Sequence, residues 1–173
     1  MEKTRPETIK QYLRELGESI RKSIRIDIAG GASLILGGYI SRRTTDVDII
    51  NEVPAELRSQ HALLDELKTR YGLELGHVQS HYFPSGWDQR VHSIESLGWL
   101  QIYLVDVYDV LLSKLFSARD KDRDDLRFIL PNLEKDVFVR RLKETCAGFL
   151  VAPRLRELAE KNWYILYGEA LPS

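Results

Sequence analysis

The sequence predicts an α/β domain: a mixed sheet carrying a short glycine-opened helix, flanked by further helices and followed by an all-helical C-terminal region. Three observations lead there. Ile24, Ile26 and Ile28 alternate with Arg25, Asp27 and Ala29, the period-2 signature of a strand. Gly30-Gly31 ends that strand, Ala32 to Leu36 suits a short helix stopped by Gly37-Gly38, and Asp46-Val47-Asp48-Ile49-Ile50 reads as a second strand. After Leu130 no strand pattern remains, and two amphipathic segments, Leu133 to Thr145 and Pro153 to Tyr167, flank a Cys146-Ala147-Gly148 break.

The elements follow in order. Ile9, Leu13, Leu16 and Ile20 form one apolar stripe of an opening helix from Pro6 to Arg21. Pro54 suits a first helical turn, and one helix to about Thr69 is expected, with Leu57, His61, Leu64 and Leu67 along one side and His61 a packed or boundary histidine. A short strand is placed within Leu73 to Val78. His77 and His81 have a metal-like spacing, but Gly76, Pro84 and Gly86 argue against the helix that spacing needs. Pro84 to Arg90 is a turn-rich loop. Val91 to Glu95 and Trp99 to Val105 read as a hairpin joined by Ser96-Leu97-Gly98, its second strand apolar on both faces as a central strand would be. Val107 to Ala118 has the helical period, with Asp106 as N-cap. Trp163, Tyr164 and Tyr167 are expected as core or interface aromatics rather than a base-stacking platform. The domain boundary is drawn at 131, with 1–131 as the α/β domain and 132–173 as the helical region packed on it.

Composition narrows the function classes. A chain of 173 residues with 43% hydrophobic content supports a real core. Lys and Arg number 25 against 26 Asp and Glu, so no global attraction to nucleic acid is implied, and any polyanion binding must come from a local patch. Cys146 is the sole cysteine, which rules out an intrachain disulfide. No apolar run approaches the ~20 residues of a membrane span and no signal-peptide core is present, so a cytoplasmic protein without membrane contact is expected.

The chemistry gathers between Gly30 and Ile50. On a strand, Asp46 and Asp48 point to one side with Cα atoms roughly 7 Å apart, while Val47 and Ile49 face the core. Two carboxylates so close repel unless a cation or donors lie between them. A hard divalent ion such as Mg2+ suits them, because it takes one or two carboxylates and leaves positions for phosphate and water. Glycines at a strand-to-helix turn let backbone N–H groups approach a phosphate. The blander reading is a Gly-rich turn followed by a solvated acidic strand end. A dinucleotide-binding reading fails, because the glycines do not follow G-x-G-x-x-G.

Gly30-Gly31, then Ala32-Ser33, then Arg43-x-Thr45-Asp46-x-Asp48 resembles the signature of the nucleotidyltransferase (polymerase-beta-like) superfamily, and within it the minimal bacterial branch that includes the AbiEii-type toxins. A second run, Lys114 followed by Ala-Arg-Asp-Lys-Asp-x-x-Asp-Leu, is similar to that branch's second motif. Lys114 falls on the inward or boundary face of its helix, where a lysine either snorkels or meets an anion. Asp122 also projects toward the packing side, whereas Asp125 reads as an acid complementing a helix dipole. The resemblance covers roughly Ile24 to Leu130. It implies a nucleotidyltransferase-like fold and Mg2+-dependent transfer of a nucleotide from a nucleoside triphosphate to an RNA, tRNA included, or to a protein, with a cognate antitoxin encoded nearby. It implies Asp46 and Asp48 as metal ligands, Gly30, Gly31, Ser33, Arg43 and Thr45 as nucleotide contacts, Lys114 at the leaving pyrophosphate, and Asp122 orienting Lys114 or activating the acceptor. One departure stands out: many members carry a third acid on a later strand, where this chain has Gln101 and Tyr103, leaving Asp106 or Asp88 as substitutes. That departure supports one rival reading, a non-catalytic interaction module that keeps the fold; a second rival is a nucleotide-binding regulator that holds a nucleotide without transferring it.

Overall fold

The computed structural model describes residues 2–173. It is an α/β fold with a C-terminal helical region. Five strands form one mixed sheet: β1 (Ile24–Ala29), β2 (Asp46–Ile50), β3 (Glu74–Val78), β4 (His92–Leu97) and β5 (Leu100–Leu104), in the order β3-β2-β1-β5-β4. β1 runs antiparallel to β2 and parallel to β5, β2 is parallel to β3, and β4 is antiparallel to β5. Helices α1 (Pro6–Glu18), α2 (Gly30–Leu36), α3 (Ala55–Arg58) and α4 (His61–Tyr71) accompany the sheet. Helices α5 (Val107–Leu115), α6 (Asp120–Ile129), α7 (Lys135–Thr145), α8 (Ala147–Leu150) and α9 (Pro153–Tyr167) follow it. The chain gathers into two compact units, one of Met1–Ser80 with Arg90–Val105 and one of His81–Gln89 with Asp106–Ser173.

In the first unit one side of the sheet is apolar. Ile24, Ile26, Ile28, Val47, Ile49, Leu100 and Ile102 join Ile9, Leu13 and Leu16 of α1 and Leu57 and Leu67 in a single core. The opposite side carries Arg25, Asp27, Asp46, Asp48, Gln101 and Tyr103, all exposed or half-buried. Alternation thus places the acidic pair away from the core.

Several expectations are corrected. The helix expected from Pro54 to Thr69 is broken at Ser59-Gln60, and His61 opens α4 exposed rather than packed. At 100° per residue, Leu57 and Leu67 on one continuous helix would lie about 80° apart around the axis. The break lets both be buried completely. The hairpin turn is Gly98-Trp99, with Gly98 at φ +58° as a two-residue turn requires, so Ser96 and Leu97 belong to β4 and Trp99 is 52% exposed. α1 stops at Glu18, although Ile20 beyond it remains buried. β5 is central, but its outer face carries exposed Gln101 rather than a second apolar layer. His77 and His81 are both exposed.

In the second unit, Asp106 caps α5 by accepting from the Tyr108 amide, as the sequence indicates. Trp163 is fully buried and stacks on Phe138 at 6.0 Å, whereas Tyr164 is exposed. The break near Cys146 holds the single turn α8.

Candidate active site

The acidic pair sits where the sequence places it. Asp46 and Asp48 share the outer face of β2, half-buried, with Val47 buried between them. Register decides what surrounds them. Asp48 lies opposite Ala29 on β1 and opposite Gly76 on β3. A Cβ added at Gly76 would stand 2.4 Å from Asp48 Oδ1, and one added at Gly30 would stand 3.0 Å from Oδ2. The carboxylate therefore lies in a slot whose two walls have no side chain. Gly30 also has φ +66°, a left-handed conformation that favours glycine. Asp46 accepts from Thr45 Oγ1 at 3.2 Å. Across the parallel ladder its partner is Glu74, whose carboxylate accepts from Lys68 Nζ at 2.7 Å. The Lys68 ammonium is held above its ordinary pKa by Glu74 first, with weaker help from Asp65 and Asp46.

The glycine turn is not bare. The Arg42 guanidinium lies over Gly31, so close that a Cβ there would stand 2.5 Å from Nη2, and Nη1 donates to the Arg43 carbonyl at 2.9 Å. A phosphate arriving at Gly31 meets that guanidinium before the backbone amides. Ser33 is buried and its hydroxyl donates to Gly30 O at 2.8 Å, which fixes the turn and leaves no proton for a phosphate. Arg43 is exposed and lines a cavity with the N-terminal arm. Arg42 and Gly76 are the residues the sequence reading missed.

Lys114, Asp122 and Asp125 form a separate buried cluster within the second unit. Lys114 Nζ stands 2.6 Å from Asp122 Oδ1 and 3.0 Å from Asp125 Oδ2. Asp122 Oδ2 accepts from Ser117 Oγ at 2.6 Å and faces Arg119 Nε at 3.2 Å. Burial pushes the Asp122 carboxyl up, but the charge and hydrogen bond of Lys114, with Ser117 and Arg119, outweigh it and hold the group below its ordinary value. Asp125, expected as a solvated helix-end acid, is 1% exposed. Two cations meet two carboxylates here, so the cluster offers no surplus positive charge. Asn162 of α9 was not singled out by the sequence. It is buried, donates to Leu115 O and Ser117 O at 2.8 and 2.9 Å, and accepts from Arg123, tying down the end of α5. Arg141 likewise bridges Asp106 and Asp109, both at 3.1 Å.

The residues fit a hard divalent ion only as a two-carboxylate site. Asp46 and Asp48 supply oxygen ligands on one face, and such an ion completes its shell with water and phosphate oxygens. Among the described residues no group of three or more His, Cys, Asp or Glu side chains is arranged to hold a metal. Both candidates for a third acid have other partners: Asp106 caps α5 and accepts from Arg141, and Asp88 is exposed in a one-turn helix accepting from Gln89.

The sequence matches, over residues 7–162, a protein family described as a nucleotidyltransferase of unknown function (DUF6036). Comparison with curated proteins and with solved structures finds no match. No helix among the described residues is long and apolar enough to cross a membrane.

Proposed function

The chain belongs to the DUF6036 family of nucleotidyltransferases of unknown function, and from that premise we propose that it transfers a nucleotide from a nucleoside triphosphate to an acceptor hydroxyl with Mg2+ held by Asp46 and Asp48. The observation that carries this reading is the Asp48 slot, in which a carboxylate is seated between Gly30 and Gly76 beside a second acid on the same face. In the reaction the acceptor oxygen bonds to the α-phosphorus, the bond from that phosphorus to the oxygen bridging to the β-phosphate breaks, pyrophosphate leaves, and the hydroxyl proton passes to solvent. A bound Mg2+ supplies charge neutralisation at the reacting phosphate. Gly30 lets the triphosphate tail come close, and the Arg42 guanidinium over Gly31 would meet it with positive charge. Thr45, whose hydroxyl donates to Asp46, extends that polar margin, and Arg43 faces the neighbouring cavity. Lys114, held by Asp122 and Asp125, is assigned to positioning within its own unit. RNA or protein as the acceptor, and an antitoxin as partner, follow from the resemblance of the two motifs to the toxin branch.

The test is calorimetry with Mg2+ and each nucleoside triphosphate, together with transfer of labelled nucleotide to total RNA and to protein. Asp48→Asn is expected to cut transfer by on the order of a thousandfold, the several kcal/mol of a lost metal ligand, with an unchanged melting temperature. Mg2+-dependent binding without transfer would favour the regulator reading, which the two-acid site and the Arg42 cover already suggest as the alternative. Absence of binding in wild type would overturn both.

A further inference from the structure

A second feature stands at the same end of the sheet as the acidic pair. Residues Thr4 and Thr44 stitch the N-terminal arm to the segment leading into β2: Thr4 N donates to Arg42 O at 3.2 Å, Thr4 Oγ1 to Thr44 O at 3.1 Å, and Thr44 N to Thr4 Oγ1 at 2.9 Å. This seam walls a cavity of about 460 Å³ into which Lys3, Arg5, Thr8 and Arg43 open, with Glu2 the one acid on its rim. The cations of this unit are mostly matched elsewhere: Lys10 with Glu95, Lys22 with Glu56, Arg58 with Glu52, Lys68 with Glu74, Arg70 with Glu15. Lys3, Arg5 and Arg43 have no ion pair or hydrogen bond to their side chains among the described residues. Three unmatched cations on one cavity are a local positive patch on a chain whose net charge is −1.

We propose that this cavity is a phosphate subsite outside the glycine turn, seating a phosphodiester of a single-stranded polynucleotide acceptor. The claim about the acceptor rests on the proposed transferase reading; the claim of anion binding does not. Two guanidinium forks and an ammonium match phosphate oxygens, and the Thr8 hydroxyl adds a donor not otherwise engaged among the described residues. The cavity offers the backbone a seat but not a base. Its one aromatic ring, Tyr71, meets Tyr12 edge-on at 6.4 Å, and its hydroxyl donates to Glu15. Position matters as well. Arg43 lies three residues before Asp46, so its Cα is within about 10 Å of the acidic pair's strand along an extended chain. A strand held here would enter from the side of β2 that precedes the acids.

The experiment measures binding of a fluorescent single-stranded oligoribonucleotide by anisotropy across a salt series, for wild type, Lys3→Gln, Arg5→Gln and the double variant. Each neutralised contact should make the slope of log K against log salt shallower by about 0.7, hence about 1.4 in the double. Affinity for nucleoside triphosphate with Mg2+ should stay within twofold, because neither residue touches the glycine turn, and both side chains are exposed without partners among the described residues, so melting should not move. An unchanged oligonucleotide slope in the double variant, or no oligonucleotide binding by wild type, overturns the proposal while leaving the Asp48→Asn test intact. Loss of triphosphate affinity with oligonucleotide binding retained would mean that the cavity takes the nucleotide's own tail, and also overturns it. Equal competition by a polyglutamate peptide would refute phosphate selectivity.

Discussion

Replacing Lys114 by methionine removes one charge from a cluster that is almost wholly buried. The side chains of Lys114, Asp122 and Asp125 are 8%, 9% and 1% exposed. Removing one partner of a buried pair costs about 3–5 kcal/mol, since the remaining charge stays desolvated. Ser117 and the largely exposed Arg119 still serve Asp122, which puts the expected loss at the lower end, about 3 kcal/mol at pH 7. With a urea slope of about 2 kcal/mol/M, the midpoint falls by roughly 1.5 M. The pH dependence has a definite sign. In wild type the folded Asp122 carboxyl lies below its ordinary 3.8, so its stabilisation is complete above that value and is lost as pH falls through the lower folded one. In the variant the ammonium is gone and burial, the largest single influence on this group, raises the carboxyl instead. The variant then takes up protons as pH falls from 7 toward 4 and regains stability relative to wild type. Urea unfolding at pH 7, 5.5 and 4 should show a narrowing gap, and adding Asp125→Asn should recover part of the loss at pH 7. A gap below about 1 kcal/mol at pH 7, or one independent of pH, would refute the buried-cluster reasoning.

Two further outcomes follow from single contacts. Gly76→Ala sets a methyl 2.4 Å from Asp48 Oδ1, so the carboxylate must swing away; Mg2+-dependent triphosphate affinity should fall at least tenfold in calorimetry, with stability changed by about 1 kcal/mol or less. Unchanged affinity would remove the slot from the site. Asn162→Ala strands the Leu115 and Ser117 carbonyls and should cost about 2–4 kcal/mol, seen as a drop of roughly 6–10 °C in melting temperature.

What the sequence made legible was local. Alternation in Ile24–Ala29 and Asp46–Ile50 needs only neighbouring residues, and so does the cap that Asp106 places on the Tyr108 amide. Helical spacing put Lys114 and Asp122 on inward faces, where the structure has them. The position of Asp125 in a helix that opens with acids is silent about a lysine on the preceding helix. The helix break at Ser59-Gln60 hides for a related reason: it serves two leucines that must reach one core, and no residue there is a strong helix breaker.

The candidate site divides along the same line. The acids and the glycine pair are adjacent in sequence, so a motif finds them. The residue that shapes the slot, Gly76, is 28 positions from Asp48, and it becomes a neighbour only through the parallel register of β2 with β3, which pairs Asp48 with Gly76 and Asp46 with Glu74. Shift that register by one residue and Leu75 or His77 would stand beside the carboxylate, turning an inward apolar or bulky side chain onto the acidic face. The alternation of β3 forbids the shift, because Leu75 must face the core on which it packs. Core packing on one side of the sheet therefore fixes which side chain, or none, stands beside the candidate metal ligand on the other. That constraint ends where β2 begins: in the irregular segment before Asp46, Arg42 lies over Gly31 while Arg43 lines the cavity with Lys3 and Arg5.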